Sequence, residues 1–128
     1  MVSYSWNNKN VVYRISQRLE NDYKIWIDKT KLVGHIDEAM AKAVKEVDLV
    51  LVCLSKKYEE SDNCKAEVRC IKEFKKASLP LKMEKYDVDS WVAATFGREL
   101  YVDFSDESKF DESFKDLLTR LDLKFASM

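Results

Sequence analysis

The chain has 128 residues, 46% of them hydrophobic, with only two glycines and one proline. That composition suits a single domain, 1–128, with a substantial core, and excludes collagen-like and Gly/Pro-rich disordered classes. Charged residues make up 35%, but the signs cancel to a net charge of −1. The basic footprint needed to grip a phosphate backbone is therefore missing, and no nucleic-acid partner is expected.

The cysteines are Cys53, Cys64 and Cys70. An odd count at scattered spacing does not describe a disulfide framework. There is no C-x-x-C pair and His35 is the sole histidine, so no metal site is expected. Reduced thiols suit a reducing compartment, which points to the cytoplasm. No secretory leader is readable, and no apolar run approaches membrane-spanning length, so direct membrane insertion is not expected. The sequence starts inside a β-prone stretch, as a domain cut from a longer protein or an independent small protein would.

Val2-Ser3-Tyr4 is a short β-prone opening, followed by the cap and turn signal Asn7-Asn8. A first helix is expected over Lys9 to Asn21, with Val12, Ile15 and Leu19 as its buried stripe. Tyr23 to Ile27 is strongly β-prone and is expected to be the second strand. A polar loop, Asp28 to His35, leads into a helix over Ile36 to Glu46, with Met40, Ala43 and Val44 on its apolar face. Leu49 to Leu54 is a continuous apolar run, the pattern of a strand covered on both faces. One long amphipathic stretch, Tyr58 to Lys76, places Ala66, Cys70, Ile71 and Phe74 at helical spacing. Leu79 to Met83 reads as a fourth strand, although Pro80 argues against a central position because it has no N–H for the ladder. A short helix over Ser90 to Phe96, a fifth strand over Leu100 to Phe104 and a last helix over Phe110 to Leu121 complete the chain.

Strand and helix alternate throughout. The expected fold class is therefore α/β: a flavodoxin-like three-layer sandwich, with a five-stranded parallel sheet in order 2-1-3-4-5 and helices on both faces. In such folds ligands bind beyond the carboxyl ends of the strands, where strand order reverses. Those ends are Tyr4 to Trp6, Ile27-Asp28 and Cys53 to Ser55. A flavin carrier or phospho-acceptor receiver would share the topology. Neither fits: there is no Gly-rich phosphate loop, and Tyr4-Ser5-Trp6 and Cys53-Leu54-Ser55 stand where a receiver needs carboxylates.

Several fragments, in order, resemble the TIR (Toll/interleukin-1 receptor-like) domain family. Val2-Ser3-Tyr4-Ser5 is similar to its "ISYS" opening. Trp26-Ile27-Asp28 with Leu32, Gly34 and Ile36 resembles its second strand and the BB loop that follows. Ala39 to Val44 resembles the next helix, and Leu49 to Ser55 the serine-ended third strand. Ser61-Asp62-Asn63-Cys64-Lys65-Ala66-Glu67-Val68 is similar to "S-x-W-C-x-x-E-L", and Leu79-Pro80-Leu81 to "IPI". The chain departs from the pattern at Asn63, where the family has tryptophan, and at Val33, where Toll-like receptors have proline. The family's "FW" box has no clear counterpart.

Some TIR domains cleave NAD⁺ between nicotinamide and ribose, and the resemblance implies that Glu67 occupies their catalytic position. It also implies NAD⁺ as a substrate rather than a bound cofactor, and partners that are copies of the same domain or other TIR domains. Tyr4, Ser5, Trp6, Asp28, Lys31, Ser55 and Cys64 are the expected substrate-binding residues. Lys29, Lys31, Leu32, Val33, Gly34, His35 and Ile36 form the expected interaction loop. Each has a plainer reading. Glu67 suits a solvated helix face, and Trp6 either stacks on a base or packs. Asp28 either caps the loop or faces a ribose. The cationic loop meets a pyrophosphate, an acidic partner or only water. Cys64, near a helix start, sits where thiol pKa values fall, but no base partner is readable. Trp91 lines the site or packs. Two functions follow: an NAD⁺ nucleosidase active on self-association, or a non-enzymatic TIR–TIR interaction module.

Overall fold

The computed structural model describes residues 1–27, 37–96 and 101–128. Four parallel strands form the sheet, in spatial order β1 (Val2–Tyr4), β2 (Leu49–Leu54), β3 (Ala77–Lys82) and β4 (Val102–Asp103). The helices are α1 (Lys9–Leu19), α2 (Asp37–Glu46), α3 (Lys56–Glu60), α4 (Asp62–Glu73), α5 (Ser90–Phe96) and α6 (Phe110–Ala126). Single 3₁₀ turns precede α1 and α6.

Strand periodicity sorts the core into two layers. Val2, Tyr4, Leu49, Leu51, Cys53, Leu79 and Leu81 pack with Val12, Ile15 and Leu19 of α1 and with Phe110, Phe114, Leu117 and Leu121 of α6. Val50, Val52 and Leu54 face the other way, against Val44 of α2, Tyr58 of α3, Cys64, Val68 and Ile71 of α4, and Val92 and Phe96 of α5. All six residues of β2 are buried, as its unbroken apolar run requires.

The sheet has four strands among the described residues, and the expected count of five is corrected. The segment expected as the second strand lies beside β1, on the side the 2-1-3-4-5 order assigns to it. It makes only the bridge Val2↔Ile27 and the bond from Val2 N to Trp26 O at 3.0 Å. Its side chains do alternate, with Tyr23, Ile25 and Ile27 half-buried and Lys24 and Trp26 exposed. Among the described residues the pairing ends there, because Ile27 is the last of that segment and the bridge falls on Val2, the first residue of β1.

The long amphipathic stretch is two helices rather than one. Ser61 adopts an extended conformation (φ −80°, ψ 122°), which ends α3, and its side chain caps α4. Pro80 sits in β3 opposite Val52. Met83 N donates to Leu54 O at 2.9 Å, so by alternation the missing N–H of Pro80 falls on the β4 side. Among the described residues β4 pairs from Leu81 onward, so none of the ladder bonds described there needs an N–H from the proline. The last helix continues past Leu121 to Ala126, where Phe125 stacks on Tyr23 with ring centroids 5.5 Å apart.

The end of α4 turns the chain into β3 through a Schellman motif. Lys76 N bonds to Ile71 O at 2.9 Å and Lys75 N to Lys72 O at 3.1 Å. Lys75 takes φ 50°, a left-handed conformation in which a side chain crowds the backbone. Lys75→Gly removes that crowding and should raise stability by about 0.5–1 kcal/mol. Chemical denaturation checks it, and an unchanged or lower midpoint contradicts this account of the turn.

Candidate functional site

The carboxyl rim of the sheet is assembled by helix caps. Ser55, the residue after β2, is fully buried, and its Oγ accepts from Tyr58 N at 3.0 Å. That cap starts α3 and brings the Tyr58 ring under the rim. Ser61 repeats the device, accepting from Cys64 N at 3.3 Å and starting α4. Cys64 Sγ then donates to the carbonyl of Tyr4, at the end of β1, at 3.7 Å.

One turn deeper, at i+3 from Cys64, Glu67 faces the same strand. Ser3 Oγ donates a short hydrogen bond to Glu67 Oε2 and lies 2.6 Å from Tyr58 Oη. Ser3 and Tyr58 are fully buried and Glu67 is 8% exposed. A hydroxyl from β1, a phenol from α3 and a carboxylate from α4 therefore form one hydrogen-bonded cluster in the protein interior. Burial, and after it the neighbouring Glu67 carboxylate, push the Tyr58 phenol well above its usual value, so it stays neutral.

The expected site residues divide between the two faces of the sheet. Glu67, Cys64 and Ser55 lie on the α4 side. Tyr4 is fully buried on the other side, its hydroxyl 3.5 Å from that of Tyr13. Trp6 is 43% exposed at the rim and stacked on Tyr4, with centroids 6.4 Å apart and Lys9 Nζ 5.1 Å above its ring. Ser5 is half-buried and starts the 3₁₀ turn, accepting from Asn8 N at 2.9 Å through its carbonyl. Trp91 is half-buried, packed against the core on the α4 side. Asp28, Lys29, Lys31, Leu32, Val33, Gly34, His35 and Ile36 lie outside the described residues.

Sequence reasoning missed Ser3, Tyr58 and Glu59. Ser3 carried a signal: a hydroxyl between two apolar strand residues must find a partner when the strand is buried. Tyr58 lies three residues after the capping Ser55, so it faces inward. Glu59 is 6% exposed and accepts from Asp89 N with both oxygens, at 3.0 and 3.1 Å, fixing α3 to the residue that precedes α5. Burial raises its carboxyl, offset in part by that backbone donor. The nearby Tyr86 hydroxyl is buried and raised by desolvation and by Glu59, without a hydrogen bond of normal geometry.

A cavity of about 830 Å³ opens at the other end of the sheet, where the chain enters β1 and β2. Leu19, Ile25, Trp26, Leu49, Leu121 and Phe125 are among its walls. Its lining includes Val2 but none of Ser3, Tyr58 and Glu67. Among the described residues no group of acidic, cysteine or histidine side chains is arranged to hold a metal ion, and no helix is long and apolar enough to cross a membrane.

Tyr58 gives a pH test. Its folded pKa is raised above the ordinary value of 10.0, so the neutral phenol's contribution is complete below pH 10 and is lost as pH climbs beyond it. Tyr58→Phe should cost about 0.5–1.5 kcal/mol at neutral pH. It should also lose stability less steeply than the parent above pH 10. Denaturant midpoints collected across the alkaline range test this, and parallel curves would contradict it.

The sequence model of the TIR domain family matches residues 1–118. No curated protein matches the chain. Among solved structures, the TIR domain of the Toll-related receptor TRR-2 from Hydra magnipapillata is similar, with a TM-score of 0.72 at 14% identity. The superposition covers 93% of this chain and 94% of that one, and at such identity it speaks for the fold alone. With four parallel strands, helices on both faces and a family match over nearly its whole length, this chain belongs to the TIR domain family.

Proposed function

We propose that this TIR signalling domain cleaves NAD⁺ between nicotinamide and ribose when copies of it self-associate, with Glu67 as the catalytic carboxylate. One observation carries the reading. Glu67 is not on a solvated helix face but is buried against two hydroxyls, one turn below the carboxyl rim. Buried, specifically partnered carboxylates near a strand-end rim are where functional acids concentrate.

The chemistry asks little of the protein. The bond from ribose C1′ to the nicotinamide nitrogen breaks, and its electron pair leaves on nicotinamide, which departs neutral. Positive charge develops on the ribose as an oxocarbenium-like state, which a nearby carboxylate stabilises. Water then bonds to C1′ and releases a proton, giving ADP-ribose. Capture by another nucleophile of the same molecule gives a cyclic form. No cofactor enters, since NAD⁺ is consumed as substrate. The exposed face of Trp6 offers a stacking platform at the rim. In this reading Ser5, Ser55 and Cys64 line the approach, Asp28 faces a ribose and Lys31 the pyrophosphate. Thiols not joined in disulfides suit a cytoplasmic setting.

Nicotinamide release from NAD⁺ by concentrated domain is the direct test. Release should rise more than linearly with protein concentration, and Glu67→Gln should lower it by about 100-fold or more. Equal turnover in parent and variant would remove Glu67 from the chemistry.

A second reading, a non-enzymatic TIR–TIR adaptor, has its own support. One Glu67 oxygen is already occupied by Ser3, and the exposed Asn63 stands where the family pattern has tryptophan. An adaptor would bind through the loop from Lys29 to Ile36. Replacing Leu32 and Gly34 should then abolish co-sedimentation with a TIR partner, while Glu67→Gln leaves it intact. Undiminished binding after the loop substitutions counts against the adaptor.

A further inference from the structure

The hydrogen bonds around Glu67 have a direction, and it follows from counting protons. With Glu67 ionised, its carboxylate only accepts, and Ser3 donates its one hydroxyl proton to Glu67 Oε2. Ser3 Oγ therefore meets Tyr58 Oη, 2.6 Å away, only as an acceptor. The phenol must donate. Both protons then point the same way along the chain Tyr58 to Ser3 to Glu67.

From this we infer that Tyr58 and Ser3 are positioning residues, two hydroxyls in series that hold the Glu67 carboxylate charged and in one orientation. The inference rests on the catalytic reading of Glu67 and deepens it. The three groups come from three elements that share no local sequence. β1 supplies Ser3, α3 supplies Tyr58 and α4 supplies Glu67. The cap at Ser55 fixes where Tyr58 enters, and the cap at Ser61 fixes the start of α4. A donor chain that ends on an acid favours its ionised form, and donors in series polarise one another. The other titratable groups acting on Tyr58 are Cys64 of α4 and Cys53 of β2, both buried thiols. Cys64 Sγ donates to the Tyr4 carbonyl at 3.7 Å.

The arrangement explains how an acid tolerates this place. A carboxylate deep in a core costs several kcal/mol unless hydrogen bonds replace its water. Here the replacement is anchored to the sheet itself, because Ser3 is locked in register with Val52 of β2. The carboxylate is thus aimed from the rigid centre of the fold rather than from a loop, the condition for a preorganised site.

The experiment is a titration of Glu67 in the intact chain, followed by ¹³C NMR of the labelled Glu side-chain carboxyls. The Glu67 signal is assigned by its loss in Glu67→Gln. Tyr58→Phe keeps the ring and removes only the terminal donor, so it is the primary variant. Its Glu67 midpoint should move up by about half a pH unit or more, and that of Ser3→Ala by about one unit or more, tenfold in the acid constant. Circular dichroism selects variants that keep the fold. If Ser3→Ala does not fold, Tyr58→Phe alone decides. An unmoved midpoint in folded Tyr58→Phe overturns the inference. In nicotinamide release, the acid limb of the kcat profile should shift by the same interval in Tyr58→Phe, with KM nearly unchanged. A moved midpoint with no Glu67-dependent release by the parent would leave the donor chain standing and refute its catalytic purpose. An unmoved midpoint with normal Glu67-dependent release would do the reverse.

Discussion

A strand with all six side chains buried can exist only if something covers both of its faces. That requirement, set by Leu49–Leu54, organises the molecule. α1 and α6 close one face, and α2, α3, α4 and α5 close the other. Right-handed crossovers of this kind carry each returning strand into parallel register with the last. The carboxyl ends of the strands therefore gather at one rim, and α3 and α4 begin there because the chain has just left β2.

The same covering imposes a condition on polar groups. The layer between β2 and α4 is apolar, with Val50, Val52, Val68 and Ile71 in it. Three polar side chains interrupt it, and they satisfy one another. Removing one partner would leave the others half-satisfied, which in such a place costs about 1–3 kcal/mol. The Glu59 carboxylate differs, since both its oxygens take the Asp89 amide and tie two helices together at the edge of the layer.

Much of this was legible in the sequence where one residue's neighbours decide its role. The apolar run of β2, the stripes Val12–Ile15–Leu19 and Phe110–Phe114–Leu117–Leu121, and the short helix at Ser90 need no distant partner to be read. The family's ordered motifs supplied the topology and marked Glu67. What stayed hidden depends on contacts distant in sequence. Among the described residues Tyr23 to Ile27 meets β1 only at Val2↔Ile27, an alignment set by the tertiary fold and not by local β propensity. Ser3 meets Tyr58 across 55 positions and Glu67 across 64, and no local period announces either meeting. Ser61 ended one helix and began another with a residue that also suits a helix surface, so the amphipathic pattern ran through it unbroken.

The sheet also tapers. Its inner strands have six residues each, while β1 at one side has three and β4 at the other has two. Short margins leave few unpaired amides and carbonyls to template a foreign strand. Asp103 and Lys82, paired at the β4 margin, add charge where a newcomer would dock. Among the described residues the sheet therefore offers a second copy of the chain little free strand edge on which to build a continuous ladder.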